Sequence, residues 1–243
     1  PTDRFGRPQL FEPMGIYFYN DDIVFISTRT AGIWKVVKGK WHLFAEGTFE
    51  SLGIIAESEN SVVIGEKPGL TRLFDKDGDH WSESRENLSD QFRLSGNYHE
   101  YLHGPIKFGD SYFYNLNLGH GVANAYKARG NYMGSNGGLR GWMCEVDEKG
   151  NFSTFANGFR SPAGLAVSPD NRIIYTENQG EYVGTSKIFQ VEKGRFYGHP
   201  SGLIDLPGKN SKSPEIQWDA VKDTVETPMI LLPHKKVMNS PGN

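Results

Sequence analysis

The chain has 243 residues, 29 of them glycine, 13% of them aromatic, and a formal net charge of −3. That length can bury one sizeable core, and the mild charge with scattered basic residues offers no patch to nucleic acid or an anionic membrane surface. The single cysteine, Cys144, excludes an intrachain disulfide, a Cys-x-x-Cys-His heme attachment and a cysteine zinc knuckle.

No apolar stretch approaches the roughly 18 residues that cross a bilayer, and none reads as a signal peptide. Abundant glycine and aromatics, with few helix-period apolar patterns, favour an all-β fold. In chain order one small pattern recurs: glycine followed by alternating apolar residues, a polar turn, then a β-rich run. It occurs at Gly15-Ile16-Tyr17-Phe18 with Ile23-Val24-Phe25-Ile26 and at Gly53-Ile54-Ile55-Ala56 with Val62-Val63-Ile64. It returns at Gly104-Pro105-Ile106-Lys107-Phe108 with Tyr112-Phe113-Tyr114-Asn115 and at Gly164-Leu165-Ala166-Val167 with Ile173-Ile174-Tyr175-Thr176. Third strands follow each copy, and fourth strands follow two of them, at Trp41–Phe44 and Phe152–Phe155.

Four strands repeating every ~40 to 60 residues predict the blades of a β-propeller, each burying its faces against its neighbours. The expected blades lie near 13–48, 52–90, 104–157 and 163–200, within one domain spanning 1–243. A fifth copy starting at Ser240-Pro241-Gly242 marks the ring as incomplete, a sector of a six-bladed wheel. Insertions at 119–138 and 201–233 interrupt the period, as functional loops or as surface excursions.

Candidate site residues sit in the polar segments. Asp75, Asp77 and Asp79, with Glu86 further on, have the spacing of a calcium loop, and the same Asp-Gly stretch also suits a hairpin turn. His99 and His103 precede the first strand of the third blade, in a loop expected to face the central channel. A neutral imidazole there could take a proton from an alcohol, or simply tie down the loop. Arg160 holds the equivalent place in the next blade, where its guanidinium could grip a carboxylate or quinone oxygen or bridge two blades. Glu177 and His199 lie in the polar loops that follow, and His120 and Arg140 flank the Gly-rich insertion.

Over Gly158 to Pro200 the chain resembles the quinoprotein glucose/sorbosone dehydrogenase family, in its membrane-bound dehydrogenase domain branch. Gly-Phe-Arg-Ser-Pro-Ala-Gly-Leu is similar to that family's Gly-His-Arg-Asn-Pro-Gln-Gly-Leu, Thr-Glu-Asn-Gln-Gly to its Ser-Glu-Gln-Gly, and Gly-Arg-Phe-Tyr-Gly-His-Pro to its Gly-Gly-Asn-Tyr-Gly-Trp-Pro. The resemblance implies a periplasmic or secreted sugar or polyol dehydrogenase holding pyrroloquinoline quinone (PQQ) and calcium near the axis of a six-bladed propeller. It casts His99, or else His103, as the proton acceptor, and Arg160, with Ser161 and Glu177, as cofactor contacts. The carbonyls of Gly180 and Glu181 become the calcium ligands. Ser161, Glu181 and His199 depart from the family's Asn, Pro and Trp. The electron acceptor is then a separate protein or a heme c domain. A non-catalytic propeller that binds carbohydrate or protein, or serves as a structural part of an assembly, is the alternative. A metal-dependent lactonase or lyase ranks last, with Glu100 and Glu177 the only acids offered to it.

Overall fold

The computed structural model describes residues 1–121, 133–206, 214–239 and 241, and of 214–217 only the backbone. The middle of the first insertion and most of the fifth copy lie outside the described residues. Sixteen strands form four antiparallel sheets of four, each in simple up-and-down order, as a propeller blade requires.

The first blade is β1 (Pro13–Phe18), β2 (Ile23–Thr28), β3 (Ile33–Val37) and β4 (Lys40–Ala45). The second is β5 (Gly53–Ser58), β6 (Ser61–Glu66), β7 (Gly69–Phe74) and β8 (Ser84–Ser89). The third is β9 (Leu102–Phe108), β10 (Ser111–Leu116), β13 (Trp142–Asp147) and β14 (Phe152–Asn157), with a two-stranded flap, β11 (Gly119–His120) and β12 (Met133–Gly134), on its insertion. The fourth is β15 (Leu165–Val167), β16 (Ile173–Glu177), β17 (Ser186–Val191) and β18 (Ile230–Leu232).

Alternation explains why the central strands read as unbroken apolar runs. In β6, Val62 and Ile64 enter the core shared with Phe25, Ile33 and Phe44 of the first blade. Val63, between them, enters the core shared with Tyr112, Tyr114 and Cys144 of the third. A blade between two others is buried on both faces, so it keeps no polar face. A third core, around Phe113, Met143, Phe159, Tyr175, Phe189 and Tyr197, joins the third blade to the fourth.

The recurring glycines have a packing cause. A Cβ on Gly53 would stand 2.3 Å from the Gly104 carbonyl oxygen, and one on Gly15 would stand 2.9 Å from Gly53 Cα. The innermost strands therefore meet backbone to backbone at the hub, and only glycine permits that approach. The far face of the first blade has a different character. There Ile16, Phe18 and Trp41 are 58, 74 and 54% exposed.

Three expectations change. The last blade's fourth strand, β18, lies inside the stretch read as an insertion, which also carries a helix, α1 (Pro214–Val221). Only four apolar residues, Met229 to Leu232, announced that strand. The second blade's outer strand, β8, is polar because it faces solvent and sends mainly Leu88 into the core. The first strand of the third blade begins at Leu102, so His103 belongs to a strand, paired with Asn115, and not to the preceding loop. Among the described residues no helix is long and apolar enough to cross a membrane.

Candidate functional site

In a four-stranded meander, the β2–β3 type of connection and the loop leading into the next blade fall at the same end. That end is one rim of the wheel. On it the side chains of successive junctions form a connected arc. Arg29 donates through Nε and Nη2 to Glu50 Oε1 at 3.1 and 2.9 Å. Lys67 Nζ donates to Glu50 Oε2 at 3.0 Å and to the Tyr98 carbonyl at 2.8 Å, and lies 5.1 Å from the Tyr101 ring centre. Glu50 holds φ at +49°, a left-handed conformation that costs a non-glycine residue on the order of 1 kcal/mol.

His99 stands next along the arc, half-buried, with the rings of Tyr98, Tyr101 and His120 around it at 5.7, 5.6 and 6.4 Å. Burial, with smaller contributions from the charges of Arg160 and His120, lowers its pKa, so the ring is neutral near pH 7. The fully buried Asn117 reaches it: Nδ2 is 2.8 Å from His99 Nδ1, 2.9 Å from the His99 carbonyl and 3.2 Å from the Leu118 carbonyl. Leu118 then joins the two candidates. Its N–H donates to the Arg160 carbonyl at 3.1 Å, while its own carbonyl lies 3.4 Å from His99 Nδ1. His99 and Arg160 thus share one rim, one residue apart through the backbone of Leu118.

Arg160 is held from both sides. Its own N–H and that of Ser161 donate to the two oxygens of Glu177, each at 2.8 Å. Glu177 is 2% exposed and so caps the turn that presents Arg160. The guanidinium donates through Nε to Glu181 at 2.8 Å and more weakly through Nη2 at 3.4 Å. Glu181 also accepts from His199 Nε2 at 3.2 Å and from the Met133 N–H at 2.9 Å. Burial works to raise the Glu181 pKa, but the hydrogen bonds from His199 and Arg160 outweigh it and bring the group to about 2. His199 is buried, which lowers its pKa, and its Nδ1 accepts from the Ser201 N–H, so a neutral ring donates to Glu181. Two of the three departures from the family pattern, Glu181 and His199, therefore meet in one buried cluster around Arg160.

The remaining candidates divide. His103 is 8% exposed, neither ring nitrogen has a hydrogen-bond partner, and burial pushes its pKa down to about 4. Gly180 packs on the stem of Arg160, since a Cβ there would come within 2.8 Å of Arg160 Cδ. Asp75, Asp77 and Asp79 join β7 to β8, at the opposite end of the blade from His99. Asp75 accepts from the N–H groups of Gly78 and His80, Asp79 from that of Trp81, and the fourth acid beside them is Glu83. Glu86 pairs instead with Arg72 at 2.8 Å, which removes it from any loop of calcium ligands. Arg140 is a buried staple, donating to the carbonyls of Tyr101 and Arg93.

Reading the sequence missed Glu50, Lys67, Arg29 and Asn117. Glu50 was findable: it precedes Gly53 much as Arg160 precedes Gly164, in the same loop of the repeat. Glu100 spends its carboxylate on the N–H and hydroxyl of Ser95. The hub itself is a cavity of about 430 Å³ lined by Gly15, Ile16, Gly53, Gly104, Pro105 and Leu165 among others.

No protein-family model and no curated protein matches the sequence. The fold does match solved structures. The PQQ domain of pyranose dehydrogenase from Coprinopsis cinerea superposes with a TM-score of 0.64 at 13% identity, over 92% of this chain and 66% of that one. The PQQ-bound aldose sugar dehydrogenase of Streptomyces coelicolor gives 0.64 at 14% identity, over 93 and 69%. A putative glucose dehydrogenase from Thermus thermophilus gives 0.66 at 17%, over 92 and 70%. The class is therefore an all-β propeller with the architecture of these sugar dehydrogenases, about two-thirds of whose length the chain spans. At such identities the likeness establishes the fold.

Proposed function

We propose that the rim is part of a site for oxidising the hydroxyl of a sugar or polyol with PQQ, in a wheel of which these four blades are a sector. The observation that carries the reading is the placement of a neutral, half-buried imidazole and a guanidinium on one rim, bridged by Leu118. The fold likeness supports it, as does the exposed apolar far face of the first blade, which suits a further blade.

An anionic quinone needs cations beside an open imidazole. Arg29 and Lys67 together face the single carboxylate of Glu50, so that end of the arc keeps one positive charge to spare, while Arg160 is paired with Glu181. These residues suit PQQ, which when bound supplies the acceptor for hydride. Arg160 and Lys67 would hold its oxygens, and His99 would accept the proton of the hydroxyl. Calcium fits less well. Glu181 turns its carboxylate to Arg160, and among the described residues the rim gathers no group of three acidic or histidine ligands.

The reading carries with it an exported location and a separate electron acceptor, either another protein or a heme c domain. A non-catalytic sugar-binding propeller is the second reading, favoured by the pairing of Arg160 with Glu181. Dye reduction decides between them: with PQQ added, aldoses should drive it, and His99→Ala should abolish it. A chain that binds aldose but reduces no dye supports the second reading and overturns the first.

A further inference from the structure

We infer that Asn117 holds His99 in the tautomer that carries its proton on Nε2, so that at rest the ring presents an N–H to the rim and not a lone pair. Which atom of the amide faces His99 is decided by its surroundings. The amide nitrogen lies 2.9 Å from the His99 carbonyl and 3.2 Å from the Leu118 carbonyl. An oxygen in that place would face two acceptors, so the atom 2.8 Å from Nδ1 is a donor. A neutral imidazole has one donor and one acceptor, and Nδ1 is the acceptor. Asn117 is fully buried, so its amide cannot turn to water and stays in this orientation.

The other groups around the ring do not reverse the assignment. Tyr98, Tyr101 and His120 pack against it, Arg160 and His120 act on it by charge, and among the described residues no carboxylate hydrogen-bonds it. The Leu118 carbonyl, 3.4 Å from Nδ1, favours a proton there, but weakly beside the amide at 2.8 Å.

The consequence rests on the oxidation reading above. To accept a hydroxyl proton at Nε2, the ring must first lose its Nε2 proton to water and gain one at Nδ1 from water. The new Nδ1–H can then turn to the Leu118 carbonyl, 3.4 Å away, while the Asn117 amide keeps its two carbonyl partners. Asn117 is thus a positioning residue that restrains base chemistry. At rest His99 suits an oxygen acceptor, such as a ligand carbonyl or alkoxide.

The test is a long-range 15N–1H correlation spectrum of the labelled wild-type chain near pH 7.5, with no quinone or sugar present. His99 is assigned by the resonances lost in His99→Gln. The expected result is Nδ1 at an unprotonated shift and Nε2 at a protonated one, in about fivefold excess or more, the bias one net hydrogen bond confers. A protonated Nδ1, or averaged shifts on both nitrogens, overturns the inference. In Asn117→Leu the balance should move toward Nδ1–H, and an unchanged balance removes Asn117 from the account. Should that variant not fold, the wild-type spectrum alone decides. The spectrum involves no turnover, so failure of the oxidation reading leaves its outcome standing. Where turnover is measurable, Asn117→Leu should raise kcat severalfold with KM unchanged, a split that mere loosening of the loop would not produce.

Discussion

Replacing His103 by leucine should make the chain less sensitive to acid. The side chain is buried in β9 with both ring nitrogens unpartnered, and burial moves its pKa from 6.5 to about 4. Unfolding exposes it to water, so between those two pH values the unfolded chain binds a proton that the folded chain refuses. Wild-type stability is then complete above pH 6.5 and falls as pH drops toward 4. The loss is on the order of 3 kcal/mol below both values and about 2 kcal/mol at pH 5. Urea unfolding of wild type and His103→Leu at pH 7.5 and pH 5 reads this residue, because the remaining histidines are common to both proteins. The substitution itself shifts stability by a pH-independent amount. The stability gap between the two proteins should therefore move by about 2 kcal/mol in favour of the variant at pH 5. A gap that stays constant across the range would show that His103 is not desolvated as the fold requires.

Gly53→Ala should cost more than about 2 kcal/mol, because the added methyl meets the Gly104 carbonyl and backbone cannot step aside. Gly184→Ala, with open space around it, should lie within about 0.5 kcal/mol of wild type, and equal unfolding midpoints for the two would refute the hub packing. Glu181→Ala should lose on the order of 3 to 5 kcal/mol by leaving the Arg160 guanidinium buried and unpaired. Glu181 has a depressed pKa, so its contribution is present above pH 4.5 and fades as pH falls toward 2. Glu181→Gln should flatten acid unfolding over that window, and an unaltered acid profile would count against the pairing.

The propeller was legible because its physics is written in short-range pattern. Gly15 and Gly53 stand where inner strands meet backbone to backbone, and central strands such as β6 are apolar on both faces, so the glycine and the apolar run repeat at blade spacing. Two of the outer strands escaped notice for the opposite reason. β8 faces water and spells no apolar run, and β18 reaches its sheet only after a long excursion that carries α1. The site was half legible. Position in the repeat placed His99 and Arg160 on one rim, but the partners that set their chemistry come from elsewhere in the chain. Asn117 meets His99 from 18 residues away, and Glu181 meets Arg160 from 21. Such pairings follow from how the chain folds back on itself, not from local spacing, and so the ion pair of Glu181 with Arg160 went unread. His103 was misplaced by two residues of strand boundary, enough to move it from an open loop into the core.

The claim at the centre is that this rim holds a quinone between His99 and Arg160. Titrating the chain into PQQ and following the quinone absorbance tests it most directly, with Arg160→Ala and His99→Ala alongside. The account predicts a saturable spectral shift, weakened about tenfold or more in Arg160→Ala by the loss of a charge-assisted contact. No shift, or one that neither substitution alters, would contradict it.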